Sequence, residues 1–522
     1  MAANKKVVRR LNWAAITWAV LFVIAVVFFF IAISFVVFPT KYKLPFAVIL
    51  ALIVAIMAIF SLRKSKKKNA KKIVVTVINC ILCVAMVAGS IYLPILQAKM
   101  RGLFAEPTST QEIKINAYVM TADYKAAHTD VFNNTTSSDQ LEDYKNARFI
   151  NQSKVDQDNQ AVALQGIQNK LSVNALNLVT KEDVMSAVAA LYDGTGDVLV
   201  LNEQFVLTIE EVPGYENFEK DTKIIDTETN TIQVATPTPA SNTNYTNSSF
   251  MVFIAGSDSR DSALTEYTRT DVDMIMTVDP INHQLLLISM PRDWYVKNPA
   301  LWNGYDKLTH LGNNGMQNSI DGLNQEYGFD YIKDYFEVNF VTFKNIIDAL
   351  GGIDIDNPYS FSDDDGNYYP EGQIHLNGDA GLWYVRERYN LPNGDYGRNE
   401  HQEIVLQAII SKITSKEVIS NFGSLLENLQ GNFLTSISSD TIYALAEKQL
   451  NDGGSWNMVS YHLGGTGAYD TTASMGSMQL YVSYPLEEQV TFAKEQMTKV
   501  MNGEIITQGT LPATDQTVFL PN

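Results

Sequence analysis

The sequence predicts an α/β protein that is held in a membrane by three N-terminal helices and carries two folded regions beyond them. Three observations lead to this prediction. The first hundred residues contain three long apolar runs, the remainder alternates strand-like and helix-like segments, and a polar segment rich in Thr, Ser, Asn and Pro divides that remainder. A chain of 522 residues, 46% of them apolar, is long enough for two or three domains.

The apolar runs cover Trp13–Phe38, Leu44–Leu62 and Ile73–Leu96. Each is close to or above the roughly 20 residues that a helix needs to cross a bilayer. A cleaved signal peptide is a poorer interpretation, because the first run is too long and two more runs follow it. We therefore predict a membrane anchor of three transmembrane helices over residues 1–100.

Basic residues set the predicted orientation of this anchor. Lys5, Lys6, Arg9 and Arg10 precede the first span, and a basic segment over residues 63–72 separates the second span from the third. Loops rich in Lys and Arg stay in the cytoplasm. The N-terminus is therefore predicted to be cytoplasmic and the large C-terminal region extracytoplasmic, as in a multi-pass protein of the cell membrane.

Charge divides the chain at the same point. Residues 1–100 hold 14 basic residues and no acidic one, which leaves 25 basic and 57 acidic residues for the remainder. Because an acidic region repels nucleic-acid phosphates, we exclude a nucleic acid as partner and with it a transcription factor. Cys80 and Cys83 both lie in the third span, so no disulfide is expected outside the membrane.

A small α/β accessory domain is predicted over residues 105–225. Its predicted elements are a strand over residues 113–119, a helix over 159–171, a helix to Ala190 that starts from a capping box at Thr180 and Asp183, and a strand over 197–211. This region shows no catalytic cluster, which favours a supporting or partner-binding role. The polar segment 226–249 is predicted to be a linker.

The third region, over residues 250–502, precedes a tail of residues 503–522 and begins with three predicted strands. These strands cover residues 250–255, 273–278 and 284–290 and form a β-meander. In a meander, the end of the first strand, the start of the second and the end of the third share one edge of the sheet. The charged residues predicted at that edge are Asp258, Arg260, Arg269, Asp271, Arg292 and Asp293.

A second cluster of arginines follows later in the chain. Arg386 and Arg388 are separated by one residue, and Arg398 precedes Gln402 by one helical turn. Guanidinium groups repel one another but match phosphate oxygens in pairs, so a convergent set suits a pyrophosphate group. The carboxylates at the meander edge would then suit Mg²⁺, which binds carboxylate and phosphate oxygens together. Surface ion pairing is the alternative interpretation.

An apolar helix face is predicted close to these arginines. A strand over residues 335–340 leads into a helix over 341–350, and Phe340, Phe343 and Ile347 belong to its apolar face. Core packing is the simpler explanation of this face. A lipid-linked substrate would need such a surface near the arginines, so the three residues are also candidates for lipid binding.

Several separate motifs resemble those of the LytR-CpsA-Psr family in order and spacing. They are Gly256-Ser257-Asp258-Ser259-Arg260, Arg269-Thr270-Asp271, Ile288-Ser289-Met290-Pro291-Arg292-Asp293, Lys307-Leu308-Thr309-His310, Leu376-Asn377-Gly378 and Tyr384-Val385-Arg386-Glu387-Arg388-Tyr389. The resemblance covers roughly residues 249–498. The three-span anchor and the accessory domain look like those of capsule-type members.

The resemblance implies an α-β-α sandwich with a central mixed sheet. It implies an enzyme that transfers a glycopolymer, of capsular polysaccharide or teichoic-acid type, from polyprenyl pyrophosphate to a muramic acid 6-hydroxyl of peptidoglycan. By motif, Asp258 and Asp271 would hold Mg²⁺. The residues implied to bind the pyrophosphate are Arg269, Arg292, Arg386, Arg388, Arg398 and Gln402. Asp273 adds a carboxylate beside this site, which affects its charge balance. His401 occupies a position that is often basic in relatives, which affects the affinity for pyrophosphate.

Two other functions remain open from the sequence. The same cation and arginines would serve a hydrolase that uses water as the acceptor. A non-catalytic regulator or scaffold, which binds polymer-biosynthesis proteins, would also fit the anchor and the outer region. The sequence does not separate these alternatives from the transferase.

Overall fold

The computed structural model describes residues 12–35, 40–63, 70–103, 110–233, 244–257, 264–363, 365–392, 395–415 and 432–512. These residues form two compact units. We call the region over residues 250–502 the catalytic region, as the resemblance implies. One unit contains the apolar helices together with one helix of this region, at Ser439–Asp452, and the other contains the accessory domain and the rest of the catalytic region.

Three apolar helices form the first unit, as predicted: α1 (Trp13–Ile33), α2 (Thr40–Leu62) and α3 (Ala70–Leu103). Each holds a segment long and apolar enough to cross a membrane, over Trp13–Ile33, Thr40–Leu62 and Ala70–Ala98. Buried polar contacts join them, since Asn79 Nδ2 donates to Thr17 Oγ1 at 3.1 Å and to Ser61 Oγ at 3.2 Å. Such interhelical hydrogen bonds stabilise helix association in lipid.

The accessory domain is a five-stranded sheet with helices packed against it. Its elements are β1 (Thr110–Met120), α4 (Ala122–Ala127), β2 (Arg148–Gln152), α5 (Gln157–Leu171), β3 (Asn177–Lys181), α6 (Val184–Tyr192), β4 (Val198–Asn202), α7 (Val206–Glu210), α8 (Phe218–Asp221) and β5 (Thr222–Gln233). The strand order is β3-β2-β4-β1-β5, and β1 runs antiparallel to both of its neighbours. The predicted small α/β domain is therefore present.

Two predicted details of this domain differ in the structure. Thr180 lies in β3, and Asp183 itself caps α6 by accepting from Ser186 N at 2.7 Å. The predicted strand over residues 197–211 ends at Asn202, whose side chain accepts from Gln204 N at 3.1 Å. This local hydrogen bond competes with the sheet and turns the chain into α7.

The predicted linker starts later than residue 226. Residues 226–233 belong to β5 and pair with β1, for example Thr229 with Lys114. A Thr-rich segment with isolated apolar residues suits a strand as well as a linker, because threonine is β-branched. Residues 234–243 lie outside the described part of the chain.

The catalytic region is built on a six-stranded mixed sheet. Its elements are β6 (Phe250–Ser257), β7 (Thr270–Asp279), β8 (Gln284–Met290), β9 (Tyr295–Asn298), β10 (Gly304–Lys307), α9 (Leu308–Leu311), α10 (Met316–Tyr327), β11 (Ile332–Asn339), α11 (Phe340–Ala349), β12 (Ile353–Asn357), β13 (Phe361–Ser362), β14 (Tyr368–Tyr369), β15 (Gly372–Leu376), α12 (Gly378–Arg386), α13 (Asp395–Ile413), β16 (Leu434–Thr435), α14 (Ser439–Asp452), β17 (Asn457–His462), β18 (Gly465–Thr472), β19 (Gly476–Pro485) and α15 (Glu487–Met501). The sheet order is β16-β11-β6-β7-β8-β17.

Helices cover both faces of this sheet. On one face, Phe253 and Ile288 share a buried core with Ile320 of α10 and Met497 of α15. On the other face α13 packs against β17, where Gln407 Nε2 donates to Ser460 Oγ at 3.2 Å. The architecture is thus an α-β-α sandwich with a mixed sheet, as the resemblance implied.

The accessory domain packs directly against the catalytic region. Met475 and Leu480, from the β18–β19 hairpin, are buried in the core of the accessory domain. Gln204 Nε2 also donates to the backbone oxygen of Tyr267 at 2.7 Å. These contacts hold the segment after β4 beside the residues that lead into β7.

Candidate functional site

One edge of the central sheet collects the ends of four parallel strands and the start of β7. Ser257 at the end of β6 pairs with Thr270 at the start of β7 and with Asn339 at the end of β11. Ser289 near the end of β8 pairs with His462 at the end of β17. The predicted convergence at this edge is confirmed. Asp258, which follows Ser257 in the chain, lies outside the described residues, as does Arg260.

Three cationic side chains lie at this edge with little exposure to solvent, and we call them the enclosed group: Arg269, Arg292 and Lys307. Their side-chain exposures are 6%, 21% and 6%. Burial of this kind is costly for a cation unless acidic partners compensate its charge.

Arg292 is the centre of the enclosed group. Its Nη1 donates to Asp271 Oδ1 at 2.6 Å and its Nη2 to Glu211 Oε1 at 3.2 Å, while Nε lies 3.9 Å from Asp293 Oδ2. Burial alone would lower the pKa of Arg292, but the three carboxylates more than offset this and raise it. Arg292 therefore stays charged and is held in place before any substrate binds.

Glu211 belongs to the accessory domain, where it directly follows α7. Its Oε1 accepts from Arg269 Nη2 at 3.1 Å as well as from Arg292, and its Oε2 lies 3.8 Å from Lys307 Nζ. Burial raises the pKa of Glu211, yet the attraction of these cations dominates and lowers it below its usual value. Thr208 Oγ1 also accepts from Arg269 Nη1 at 3.3 Å. The accessory domain thus reaches into the predicted anion site.

Lys307 joins the site through Asp293. Its Nζ lies 2.9 Å from Asp293 Oδ1. Although burial raises the pKa of Asp293, the neighbouring Lys307 and Arg292 lower it, so the carboxylate remains ionised. Lys307 belongs to one of the family motifs but had no predicted role, and Glu211 was not among the predicted site residues. The sequence predicted a strand over residues 197–211, and a strand that ends at Glu211 gives no reason to expect this residue beside the start of β7.

Asp273 does not add a negative charge to the site. It is buried, and Thr270 Oγ1 donates to its Oδ1 at 2.7 Å. Burial raises the pKa of Asp273 to about 8, so this carboxyl is mostly protonated at neutral pH. The expected disturbance of the charge balance therefore does not arise.

Arg386 and Arg388 are exposed, in contrast to the enclosed group, and we call these two the open group. Arg386 Cζ lies 4.7 Å from the centre of the Phe340 ring and 5.3 Å from that of Trp383. Arg388 Cζ lies 5.6 Å from the centre of the Tyr389 ring. Cation–π contacts position a guanidinium without neutralising its charge, so Arg386 keeps its charge for an anion.

Two structural links bring the open group and its neighbours to the same sheet edge. Phe340, under Arg386, directly follows Asn339, which pairs with Ser257. Asn399 Nδ2 lies 3.0 Å from His462 Nε2, which places the first turn of α13, and with it Arg398, beside the end of β17. The sheet edge therefore collects arginines from four separate stretches of the chain.

Gln402 and His401 make internal contacts in the structure. Gln402 is largely buried and its Nε2 donates to the backbone oxygen of Val385 at 3.4 Å. The His401 ring stacks on Tyr384 with 3.9 Å between ring centres, and burial lowers the pKa of His401 to about 4. His401 is therefore neutral near pH 7 and cannot replace a cation, while Gln402 supports the segment that carries the open group.

The three candidates for lipid contact divide into two kinds. Phe340 and Phe343 are half-buried, whereas Ile347 is fully buried. Gly381 of α12 lies so close that a Cβ there would stand 2.7 Å from Ile347 Cδ1. Ile347 thus packs between α11 and α12 as a core residue. Phe340 is the first residue of α11 rather than the last of the strand, because Asn339 and Thr342 form a capping box.

A cleft of about 430 Å³ opens beside the open group. Trp383, which carries the Arg386 guanidinium, forms part of its wall. The other principal wall residues are Tyr368, Asn367, His375, Asn377 and Asp379. Aromatic rings together with amide and carboxylate groups line the space next to Arg386.

Asp271 has the donor type that Mg²⁺ prefers. Its side chain is partly exposed, and its Oδ1 accepts from Arg292, which leaves Oδ2 as a further oxygen donor. Among the described residues, no group of three or more His, Cys, Asp or Glu side chains could hold a metal ion. An Mg²⁺ site here would therefore need substrate oxygens together with carboxylates, which is the usual arrangement for this ion.

Comparison with known proteins relates the sequence to one protein family. The sequence profile of the LytR_cpsA_psr family matches residues 215–491. A protein of Enterococcus faecalis named polyisoprenyl-teichoic acid–peptidoglycan teichoic acid transferase TagU is 31% identical over 255 residues, which cover 48% of this chain and 80% of the relative. A protein of the same name from Bacillus mycoides is 31% identical over 200 residues, covering 38% of this chain and 64% of that relative.

A solved structure gives a related result. The crystal structure of TagV from B. subtilis is 25% identical in sequence and covers 50% of this chain and 99% of its own, with a TM-score of 0.41.

Proposed function

The chain belongs to the LytR-CpsA-Psr family, and we propose that it is a membrane-anchored enzyme that transfers a glycopolymer from a polyprenyl pyrophosphate carrier to peptidoglycan. The relatives described above are named as teichoic acid transferases, which supports a teichoic acid as the polymer. A capsule-type polymer is the alternative that the resemblance implies. The acceptor proposed is a sugar hydroxyl of peptidoglycan.

The observation that carries this proposal is the meeting of two arginine groups at one sheet edge. The enclosed group is positioned by carboxylates, and the open group is positioned by aromatic rings. A pyrophosphate group carries several negative charges and offers oxygens to more than one guanidinium at a time. Among small substrates, a pyrophosphate therefore makes the fullest use of both groups.

The proposed reaction is a phosphoryl transfer. The oxygen of the acceptor hydroxyl forms a bond to the phosphorus next to the sugar, and its proton is released to solvent. The bond from that phosphorus to the bridging oxygen breaks, and polyprenyl phosphate leaves with the bonding electrons. Negative charge increases on the leaving phosphate, where guanidinium groups stabilise it. Arg292, fixed by three carboxylates, supplies a preorganised donor for this charge, since no rearrangement is needed at the moment of reaction.

We propose Asp271 and Asp258 as the residues that hold Mg²⁺ with substrate phosphate. Bound Mg²⁺ would neutralise charge on the phosphate oxygens. Asp271 would hold the ion through a carboxylate whose Oδ1 also accepts from Arg292 Nη1.

We also propose that the catalytic region lies outside the cytoplasmic membrane. The basic segments at residues 5–10 and 63–72 support a cytoplasmic N-terminus. Contacts within the membrane unit support the same orientation. Lys41, in the first turn of α2, donates through Nζ to the backbone oxygen of Asn451 at 2.9 Å, so the predicted outer end of α2 lies beside α14.

Product analysis tests the proposed reaction. The purified full-length protein, with Mg²⁺ and a polyprenyl pyrophosphate-linked glycopolymer, is incubated with and without peptidoglycan. A transferase yields polymer bound to peptidoglycan only when the acceptor is present. Free phosphorylated polymer in equal amounts in both reactions would identify a hydrolase instead.

Complementation of a deletion strain separates catalysis from a scaffolding role. Asp271→Ala and Arg388→Ala variants are expected to reach the membrane but not to restore attachment of polymer to the wall. Normal attachment with both variants would favour a scaffold, because a scaffold does not need the anion site.

A further inference from the structure

Glu211 is held in the anion site by the structure of the accessory domain. Asn202 ends β4, and α7 then carries the chain to Glu211, beside Arg269. The hairpin residues Met475 and Leu480 are buried in the accessory core, so the two regions share a packed interface. The position of Glu211 is thus fixed by packing at a distance from the site and is not a chance contact of a surface side chain.

Among the described residues, the three cations of the enclosed group face three carboxylates, those of Glu211, Asp271 and Asp293. Any anion that enters must therefore compete with carboxylates for the guanidinium donors.

Glu211 makes contacts that a phosphate oxygen would make. A single oxygen, Oε1, accepts from both Arg269 and Arg292, at 3.1 and 3.2 Å. An oxygen that bridges two guanidinium groups is typical of a phosphate in an arginine site. Asp271 and Asp293 belong to the catalytic region itself, so Glu211 is the carboxylate that the accessory domain adds.

We propose that Glu211 sets the anion affinity of the site, as a carboxylate that occupies it and must be displaced by the pyrophosphate of the substrate. This inference rests on the proposed function. An internal competitor lowers the apparent affinity of every anion by the same factor, namely the fraction of sites in which Glu211 has withdrawn. A weakly bound anion such as inorganic phosphate then no longer binds the site. A lipid pyrophosphate with Mg²⁺ has additional contacts and still binds.

The experiment measures anion affinity in the full-length protein in detergent micelles with Mg²⁺, by isothermal titration calorimetry. The probes are inorganic pyrophosphate and geranylgeranyl diphosphate, and the variant is Glu211→Gln, which keeps the shape and removes the charge. We expect Glu211→Gln to bind both probes more tightly, by about tenfold. Glu203→Gln is the matched control, because Glu203 also lies in the accessory domain but pairs with Lys114 at 3.5 Å.

Unchanged or weaker binding of both probes by Glu211→Gln would overturn the proposal, because a displaced competitor can only strengthen binding when removed. Glu211→Asp provides a second variant that keeps the charge and withdraws the carboxylate by one methylene group. It is expected to bind the probes with intermediate affinity, and affinity equal to the wild type would count against displacement. The proposed function fails separately, if the wild-type protein transfers no glycopolymer.

Discussion

The enclosed and open groups hold arginines in opposite ways at the same sheet edge. Arg292 is buried among carboxylates, whereas Arg386 is exposed and lies over the rings of Phe340 and Trp383. Among the described residues, Arg386 forms no hydrogen bond or ion pair through its side chain. The charge of the enclosed group is therefore compensated, and that of Arg386 is not.

This difference indicates a division of labour, in which the enclosed group stabilises the fold and positions the site and the open group binds the ligand. An enclosed cation whose charge is balanced by carboxylates contributes to the stability of the fold. Its position is also fixed, because these partners hold it when no substrate is present. An exposed cation over an aromatic ring contributes little to folding and keeps its charge for a ligand. Substitutions in the two groups should consequently affect stability and activity in different proportions.

The largest effect is expected for Arg292→Ala. It leaves the carboxylates of Glu211, Asp271 and Asp293 without their central cation, which should destabilise the protein by about 3 kcal/mol and abolish transfer. Thermal unfolding in micelles and the transfer assay measure the two effects. If the variant had the same melting temperature as the wild type, the enclosed group would not contribute to the stability of the fold.

The second effect separates activity from stability. Arg386→Ala and Arg388→Ala should lower the transfer rate by about 100-fold while the melting temperature stays unchanged, because each removes an exposed cation that stabilises charge in the transition state. The control is Arg148→Ala, an exposed arginine paired with Asp197 in the accessory domain, which should transfer normally. Full activity of the open-group variants would contradict the division of labour.

A third effect depends on pH. Cations lower the pKa of Glu211 below its ordinary value of 4.5, despite burial, so its charged form is favoured in the folded state. The resulting stabilisation is fully present above pH 4.5 and is lost as the pH falls below it through the folded pKa. The melting-temperature difference between wild type and Glu211→Gln should therefore shrink in acid. If the difference in melting temperature grew as the pH falls, the pKa of Glu211 would be raised in the folded state and not lowered.

The smallest effect concerns the ring beneath Arg386. Phe340→Leu keeps apolar bulk but removes the π face, worth about 0.5–1 kcal/mol, and should weaken binding of geranylgeranyl diphosphate by roughly two- to fivefold. Phe343→Leu is the control, since Phe343 is half-buried on the same helix and no arginine lies over it in the described part of the chain. Equal losses for both variants would assign the effect to apolar contact alone.

The sequence was sufficient for features that depend on local pattern. Long apolar runs predicted the three helices, and period-two segments with an Asp-Pro turn predicted strands β6, β7 and β8. The edge at which Ser257 meets Thr270 followed from antiparallel pairing alone. The family motifs then added the mixed sheet and its helices on both faces.

Features that depend on tertiary packing could not be predicted from the pattern. Glu211 reaches Arg269 only because Asn202 ends β4 and because the accessory domain packs against the β18–β19 hairpin. Burial also decides the charge of Asp273 and His401. The burial of a single polar residue cannot be inferred from one sequence. Ile347 has the spacing of a lipid-facing residue, yet it packs against Gly381.

A structure of the full-length protein with Mg²⁺ and geranylgeranyl diphosphate tests the central claim most directly. The account predicts diphosphate oxygens within about 3 Å of guanidinium nitrogens of both Arg292 and Arg386. A diphosphate bound away from this sheet edge, with both arginines keeping their present contacts, would contradict it.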